Sequence, residues 1–109
     1  MCKDGAVVED TRYSVVVVSH NHADTLAACL GAVADLKPPP AVVVVVDNAS
    51  DDGSADVAAG CSSRWPIEVI RQPDNTGFAA AANTGILAGD TPWVLSLNPD
   101  CAPRPDLAP

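Results

Sequence analysis

Four short polar clusters interrupt a chain that is otherwise largely aliphatic: Ser19-His20-Asn21, Asp47 to Gly53, Asp74 to Gly77, and Asn98-Pro99-Asp100. Their side chains are mostly carboxylates, amides and hydroxyls. Such groups can hold a divalent cation, accept hydrogen bonds from a base or ribose, or cap the first turn of a helix. Basic residues that could grip phosphate directly are few: 6 Lys and Arg stand against 14 Asp and Glu, for a formal net charge of -8. A diphosphate bridged to carboxylates by a metal ion is therefore the economical ligand for such a set. The same acidity argues against direct nucleic-acid binding, which needs clustered Lys and Arg.

The segments between the clusters must position them. Tyr13 to Val18 and Ala41 to Val46 are continuous β-branched runs, the pattern of strands buried on both faces of a parallel sheet. Ile67 to Arg71 alternates more and is expected nearer an edge, and Thr91 to Leu97 supplies a fourth strand. Leu26, Cys29, Leu30 and Val33 fall at helical spacing. They predict a helix over about His22 to Asp35, with Asn21 as N-cap and Asp24 in the first turn. Pro38-Pro39-Pro40 stops it. A short helix is expected over Ser54 to Ala59 with Gly60 as its stop, and an Ala-rich one over Phe78 to Ala88 ended by Gly89.

Strand and helix thus alternate along the chain. The fold class expected is α/β, a mostly parallel open sheet of about four strands with right-handed crossover helices, Rossmann-like. Ligands of such sheets bind beyond the carboxyl ends of the strands, and all four polar clusters fall at such ends. Residues 1–12 read as a flexible tail, 13–105 as one α/β domain and 106–109 as a C-terminal tail.

Composition narrows the class further. A length of 109 residues allows one small domain and not two. Aromatics are only Tyr13, Phe78, Trp65 and Trp93, so the core must be aliphatic, with both tryptophans expected to pack on the sheet. Cys2, Cys29, Cys61 and Cys101 form no CxxC pair and no zinc-type spacing, which reads as reduced thiols in a cytoplasmic protein. No apolar run approaches the roughly 18 residues of a membrane span, and the polar N-terminus is not that of a signal peptide. His20 and His22 are not expected to form a metal pair, because strand-end spacing does not bring both to one point, and His22 is expected to be solvated.

The common phosphate motifs are absent: neither G-x-G-x-x-G after the first strand nor G-x-x-x-x-G-K-[ST] occurs. Four other motifs occur in order. Val15-Val16-Val17-Val18-Ser19-His20-Asn21, Val46-Asp47-Asn48-Ala49-Ser50-Asp51-Asp52-Gly53, Asn75-Thr76-Gly77-Phe78-Ala79 with Asn83, and Leu97-Asn98-Pro99-Asp100 resemble family 2 glycosyltransferases of the GT-A fold. The rhamnosyltransferase-like branch is the nearest in kind, and the resemblance runs from about Tyr13 to Pro105.

That resemblance implies a nucleotide-sugar-binding portion of an inverting hexosyltransferase, of the kind used in cell-wall polysaccharide biosynthesis. Its donor would be a nucleoside-diphosphate sugar, with dTDP-rhamnose one candidate. Its acceptor would be a saccharide or lipid-linked molecule, the latter placing a cytoplasmic protein at the membrane surface. By the same resemblance Asp47, Ser19 and Asn21 line the base and ribose pocket, and Asn75, Gly77 and Asn83 match the segment that closes over the nucleotide. Asn98 and Asp100 occupy the D-x-D positions. Asp100 is then the ligand of Mg²⁺ or Mn²⁺, while Asn98, standing where the family has Asp, is suited to a ribose hydroxyl rather than to the metal. The base that takes the acceptor's proton belongs to the second half of such domains; no catalytic residue is assigned, and Asp106 is not given that part.

Plainer roles exist for the same residues. Asp47 could cap its own turn, Asn98-Pro99-Asp100 could be an ordinary Asn-Pro turn, and Asn75 and Gly77 fit a turn as well as a ligand. Asp51 and Asp52 read better as helix caps than as ligands. Two other functions compete with the transferase: a truncated, non-catalytic nucleotide-binding remnant, and a small flavodoxin-like regulatory domain. The latter wants a late strand-end Lys, which the chain lacks.

Overall fold

The computed structural model describes residues 12–61 and 66–100. The expected tails (Arg12 apart), Cys2, Trp65, Cys101 and Asp106 lie outside the described residues. Seven elements alternate: β1 (Tyr13–Ser19), α1 (Ala23–Ala34), β2 (Val42–Asn48), α2 (Ser54–Cys61), β3 (Ile67–Gln72), α3 (Phe78–Ala88) and β4 (Trp93–Leu97). The strands form one sheet in the order β3-β2-β1-β4, and every neighbouring pair is parallel. This is the α/β architecture the alternation predicts, with β3 at an edge as its weaker hydrophobic run implies.

The two valine runs occupy the centre. Val15, Val16 and Val17 of β1 and Val43 to Val46 of β2 have no exposed surface. Successive side chains point to opposite faces, so each run feeds two cores. Tyr13, Val15, Val17, Val43 and Val45 pack with Leu26, Cys29, Leu30 and Val33 of α1 and Ala58 of α2. Val16, Val18, Val44 and Val46 pack against Ala81 of α3 on the other face. Each fully buried valine contributes roughly 1.5–3 kcal/mol relative to an exposed one. Cys29 and Cys61 form no disulfide.

Several boundaries differ from the sequence reading. β1 extends to Ser19 and β2 to Asn48, because the parallel ladder continues past the valines: Ser19 lies opposite Asp47, and Asp47 and Asn48 lie opposite Arg71 and Gln72. α2 runs through Gly60 to Cys61, so Gly60 is not its stop. A helical glycine costs about 1 kcal/mol but does not end a helix whose hydrogen bonds continue. Trp93 does not bury itself on the sheet but is 54% exposed. It sits on an edge strand, and α3 packs over β1 and β2 rather than over β4.

The approach of α3 to the sheet depends on one small residue. A Cβ added at Gly85 would lie 2.5 Å from Val16 Cγ1 and 3.1 Å from Val46 Cγ2. Both neighbours are buried β-branched side chains with little rotamer freedom. Gly85→Val is expected to destabilise the fold by about 3 kcal/mol, the upper part of the range for overpacking. Urea denaturation checks this; an unchanged midpoint would show that α3 can lift from the sheet at no cost.

Candidate functional site

The sheet order creates a switch point. β1 connects through α1 to β2 on one side, while β4 lies on β1's other side, so a crevice opens beyond the carboxyl ends of β1 and β4. A cavity of about 430 Å³ occupies it. His20 and His22 border it from the β1 end, Asn48 from the β2 end, Asn75, Gly77 and Phe78 from the β3–α3 connection, and Asn98, Pro99 and Asp100 from the β4 end. All four polar clusters therefore contribute to one edge. A larger hollow of about 640 Å³ lies at the opposite, amino ends of the strands, but its lining is mostly apolar, with Asp35 its one charged side chain.

The expected site residues separate into groups. Asn75, Gly77, Asn98 and Asp100 meet in the cavity lining. Ser19 and Asp47 form a second pair, directly opposite each other across the β1–β2 ladder and both buried. They share the strand face of Val15, Val17, Val43 and Val45, turned toward α1, and are not in the cavity lining. Asp47 Oδ2 accepts the Ser50 amide at 3.1 Å, whereas Asp47 Oδ1 and Ser19 Oγ have no partner among the described residues. Asn21 is exposed and joins the loop web described next, and Asn83 is exposed on α3; neither borders the cavity.

Asn21 does not cap α1 as its type suggests. It takes the left-handed conformation at φ 57°, and the N-cap position falls on His22, whose side chain makes no capping bond. The loop after β2 caps α1 instead. Asp52 Oδ2 accepts the Ala23 amide at 3.0 Å, and Ser54 Oγ accepts the His22 amide at 3.0 Å. Asp52 Oδ1 also accepts the amide and hydroxyl of Ser54 at the start of α2. Asn21 is the reciprocal link: its amide donates to Ser50 Oγ and its Oδ1 accepts the Asp51 amide, both at 2.8 Å. One carboxylate thus serves two helices, and the β1 and β2 loops are fastened to each other.

Asn48 was not among the residues singled out from the sequence, yet it is the most connected side chain of the site. It is buried. Its Nδ2 donates to Asn75 Oδ1 at 2.9 Å and to the Gly77 carbonyl at 3.3 Å, and its Oδ1 accepts the Thr76 amide at 3.0 Å. Gly77 is the residue that permits this loop, with φ 85° and ψ 165°, a region essentially restricted to glycine. The available signal for Asn48 was a polar residue still inside the second β-branched run. His20, His22 and Phe78 were also unassigned. His22 is half-buried, not solvated.

No group of three or more His, Cys, Asp or Glu is placed to hold a metal among the described residues. The two histidines spend one ring nitrogen each on the backbone: His20 Nδ1 donates to the Asn48 carbonyl at 2.7 Å, and His22 Nδ1 accepts the His20 amide at 3.2 Å. Asp100 is the one carboxylate in the cavity lining.

The double cap has a pH signature. The Ser54 hydroxyl, and next the Ala23 amide, hold the Asp52 carboxyl below the ordinary carboxylate value. A depressed folded-state pKa means stability that is present above the unfolded value and lost as pH falls through the folded one. Asp52→Ala is therefore expected to lower Tm at pH 7, and the gap to the parent protein should close as the pH is taken below the carboxylate range. A gap independent of pH would show that the carboxylate's charge has no part in the cap.

Residues 14–109 match the model of the family described as "Glycosyl transferase family 2". The chain is 33% identical over 94 residues to glycosyltransferase AglE of Haloferax volcanii, covering 84% of this chain and 31% of that protein. It resembles the structure of S. aureus TarS 1-349 in complex with UDP, with a TM-score of 0.80 at 21% identity, over 87% of this chain and 29% of that one. It also resembles the mannosyltransferase PcManGT from Pyrobaculum calidifontis in complex with GDP-Man and Mn²⁺, with a TM-score of 0.76 at 25% identity, over 84% and 28% of the two chains. The curated relatives it matches are longer proteins, of which it spans 18% to 36%. Among the described residues no helix is long and apolar enough to cross a membrane. The match over nearly the whole chain, on a parallel α/β sheet with its polar residues gathered at the carboxyl edge, shows that this chain belongs to glycosyl transferase family 2.

Proposed function

We propose that residues 13–105 bind a nucleoside-diphosphate sugar at the carboxyl ends of β1, β2 and β4, as the donor site of an inverting glycosyl transfer. The observation that carries this reading is a polar cavity at the carboxyl edge together with two buried oxygens, on the α1 side of the same strand ends, that have no partner among the described residues. Buried polar atoms without partners are uncommon in folded proteins and ask for an external one. Asp47 Oδ1 and Ser19 Oγ are two such atoms on adjacent strand ends. They suit the N–H of a base or the hydroxyl of a ribose, with Asn21 and Asn98 as further hydrogen-bonding groups at the same edge.

The diphosphate belongs in the cavity. Among the described residues no Lys or Arg lines it. Positive potential there comes from the N-terminus of α3, which starts at Phe78 on the cavity wall. That partial charge is too small to balance a diphosphate, so a divalent cation completes the site. A single carboxylate, Asp100, fits Mg²⁺ or Mn²⁺, which draw most of their ligands from phosphate and water rather than from a protein cage. The Mn²⁺ and GDP-Man in the structure of PcManGT support this reading. When bound, such an ion offsets the charge that develops on the leaving nucleoside diphosphate.

The remaining parts of the proposal rest on motif resemblance. Asn75, Gly77 and Asn83 belong to the segment that closes over the nucleotide. The donor sugar is a hexose, with dTDP-rhamnose one candidate, and the acceptor is a saccharide or a lipid-linked molecule, the latter reached at a membrane surface. Inversion needs a base for the acceptor hydroxyl. No second carboxylate lines the cavity, so no described residue is assigned that role.

Calorimetric titration of dTDP, UDP and GDP, each with Mn²⁺ and with chelator, tests the donor site. At least one nucleotide is expected to bind, more tightly with Mn²⁺ by about tenfold or more, a modest return for one carboxylate–metal contact. Equal affinity with and without metal would remove the cation from the site. Asp100→Ala should abolish the metal dependence. Asp47→Ala should weaken binding by about tenfold with or without metal, the usual cost of one hydrogen bond to a charged group; unchanged affinity would detach Asp47 from the nucleotide.

A further inference from the structure

We propose that Asn48 is a positioning residue of the nucleotide-sugar site: it ties the β3–α3 loop to the sheet and so sets how tightly the cavity can grip its ligand. The inference rests on the donor-site reading above, and it concerns a residue that the motif resemblance leaves without a role.

Asn48 is the last residue of β2; its register with β3 extends to Asn48 opposite Gln72, while the ladder with β1 ends one residue earlier, at Asp47. Its backbone is therefore placed before the loop arrives. An amide is the one common side-chain group of this size that offers two donors and an acceptor together. Here each is used. Nδ2 reaches Asn75 Oδ1 and the Gly77 carbonyl, and Oδ1 receives the Thr76 amide and, at 3.3 Å, the Thr76 hydroxyl. Asn75 closes the loop on itself, its Oδ1 also accepting the Gly77 amide at 2.9 Å. Three consecutive loop residues thus hang on one buried amide.

The same residue acts on the opposite wall. Its backbone carbonyl can only accept, so His20 Nδ1, at 2.7 Å, carries the proton in this contact. His20 and the Asn75–Gly77 loop both border the cavity. Asn48 spans the two walls and fixes their separation. Without the side chain, residues 75–77 are an exposed loop with few other ties to the sheet, and α3 begins directly after it. A ligand would then have to order the loop itself, and that cost appears as lost affinity.

Hydrogen exchange and nucleotide titration on the whole chain, for Asn48→Ala and Asn48→Asp, test this. Aspartate keeps the acceptor for the Thr76 amide but sets a carboxylate oxygen against Asn75 Oδ1 and the Gly77 carbonyl. Faster exchange at the Thr76 amide is expected in Asn48→Ala, with exchange in the centres of β1 and β2 unchanged. Affinity for the nucleoside diphosphate that binds best should fall by about tenfold or more in both variants, since Asn48→Asp loses the two bonds donated by Nδ2 and Asn48→Ala all four of the side chain's bonds to the loop. Asn75→Ala, at an exposed position, should show a smaller loss of the same kind and guards against misfolding of the Asn48 variants. Unchanged Thr76 exchange in Asn48→Ala would overturn the tie. A loosened loop with unchanged nucleotide affinity would overturn its role in binding. If the parent protein binds no nucleotide, the donor-site reading fails, while Thr76 exchange still decides whether Asn48 holds the loop.

Discussion

Two valine-rich strands lie side by side in the middle of the sheet, paired in parallel from Ser14 opposite Val42 to Ser19 opposite Asp47. Everything at the candidate site is referred to this pair. Because both strands are buried on both faces, a shift in register by one residue would exchange the α1 face for the α3 face along the whole run. The two faces are not interchangeable: one receives Leu26, Leu30 and Val33, the other the small Ala81 and Ala82 and the bare backbone at Gly85. Packing of unequal helices therefore fixes the register, and the register fixes which polar residues emerge together at the end. Ser19 and Asp47 are level and buried because the valines before them are level and buried.

The polar edge is stabilised by a different device. The strands stop, and the helices that follow begin with amide groups that have no intrahelical acceptor. At the start of α1 these donors are satisfied from another loop rather than from its own. Asp52 and Ser54, after β2, serve the start of α1, which follows β1, and Asn21 returns two bonds to Ser50 and Asp51. Asn48 performs the same service for the loop before α3. The side chains that make the edge polar are thus divided between structure and ligand. Asp52, Ser54 and Asn48 are committed to neighbouring backbone, whereas Ser19 Oγ and Asp47 Oδ1 have no partner among the described residues.

This division explains what could be read from the sequence. Element types and order were legible because hydrophobic period is local: the β-branched runs, the Leu26–Val33 spacing and the Ala-rich stretch each declare one structure. Strand order was not, since nothing in β4 says that it pairs with β1 rather than β3. The convergence of four polar clusters on one edge was legible from topology alone, because parallel strands all end on the same side. Roles within the clusters were not. Asn21 looks like a cap by type and spacing, but its left-handed backbone and its partners 29 and 30 residues away turn it into a cross-link between loops. Asn48 looks like one of several turn residues, and only its burial and four side-chain contacts separate it from them. Long-range hydrogen bonds leave no periodic trace in a sequence.

The electrostatics of the edge complete the argument. An acidic chain with a net charge of -8 presents a cavity whose lining, among the described residues, contains one carboxylate and no Lys or Arg. A neutral ligand would need no compensation there, but a diphosphate would meet only the partial positive charge at the N-terminus of α3, since the Thr76 and Gly77 amides are already bonded to Asn48 and Asn75. By the motif resemblance Asn98 stands where a carboxylate is usual, and at the head of the β4 turn it offers a hydrogen-bonding amide without a negative charge. With Asp100 the one carboxylate among the described lining residues, a divalent cation at the proposed site would bring more positive charge than that carboxylate offsets, and a diphosphate would supply the remaining oxygens. A lining with two carboxylates would be neutral with the cation bound and less attractive to the anion. In the proposed donor site, the amide at position 98 would belong to a charge balance set by the ligand and its cation as well as by the protein.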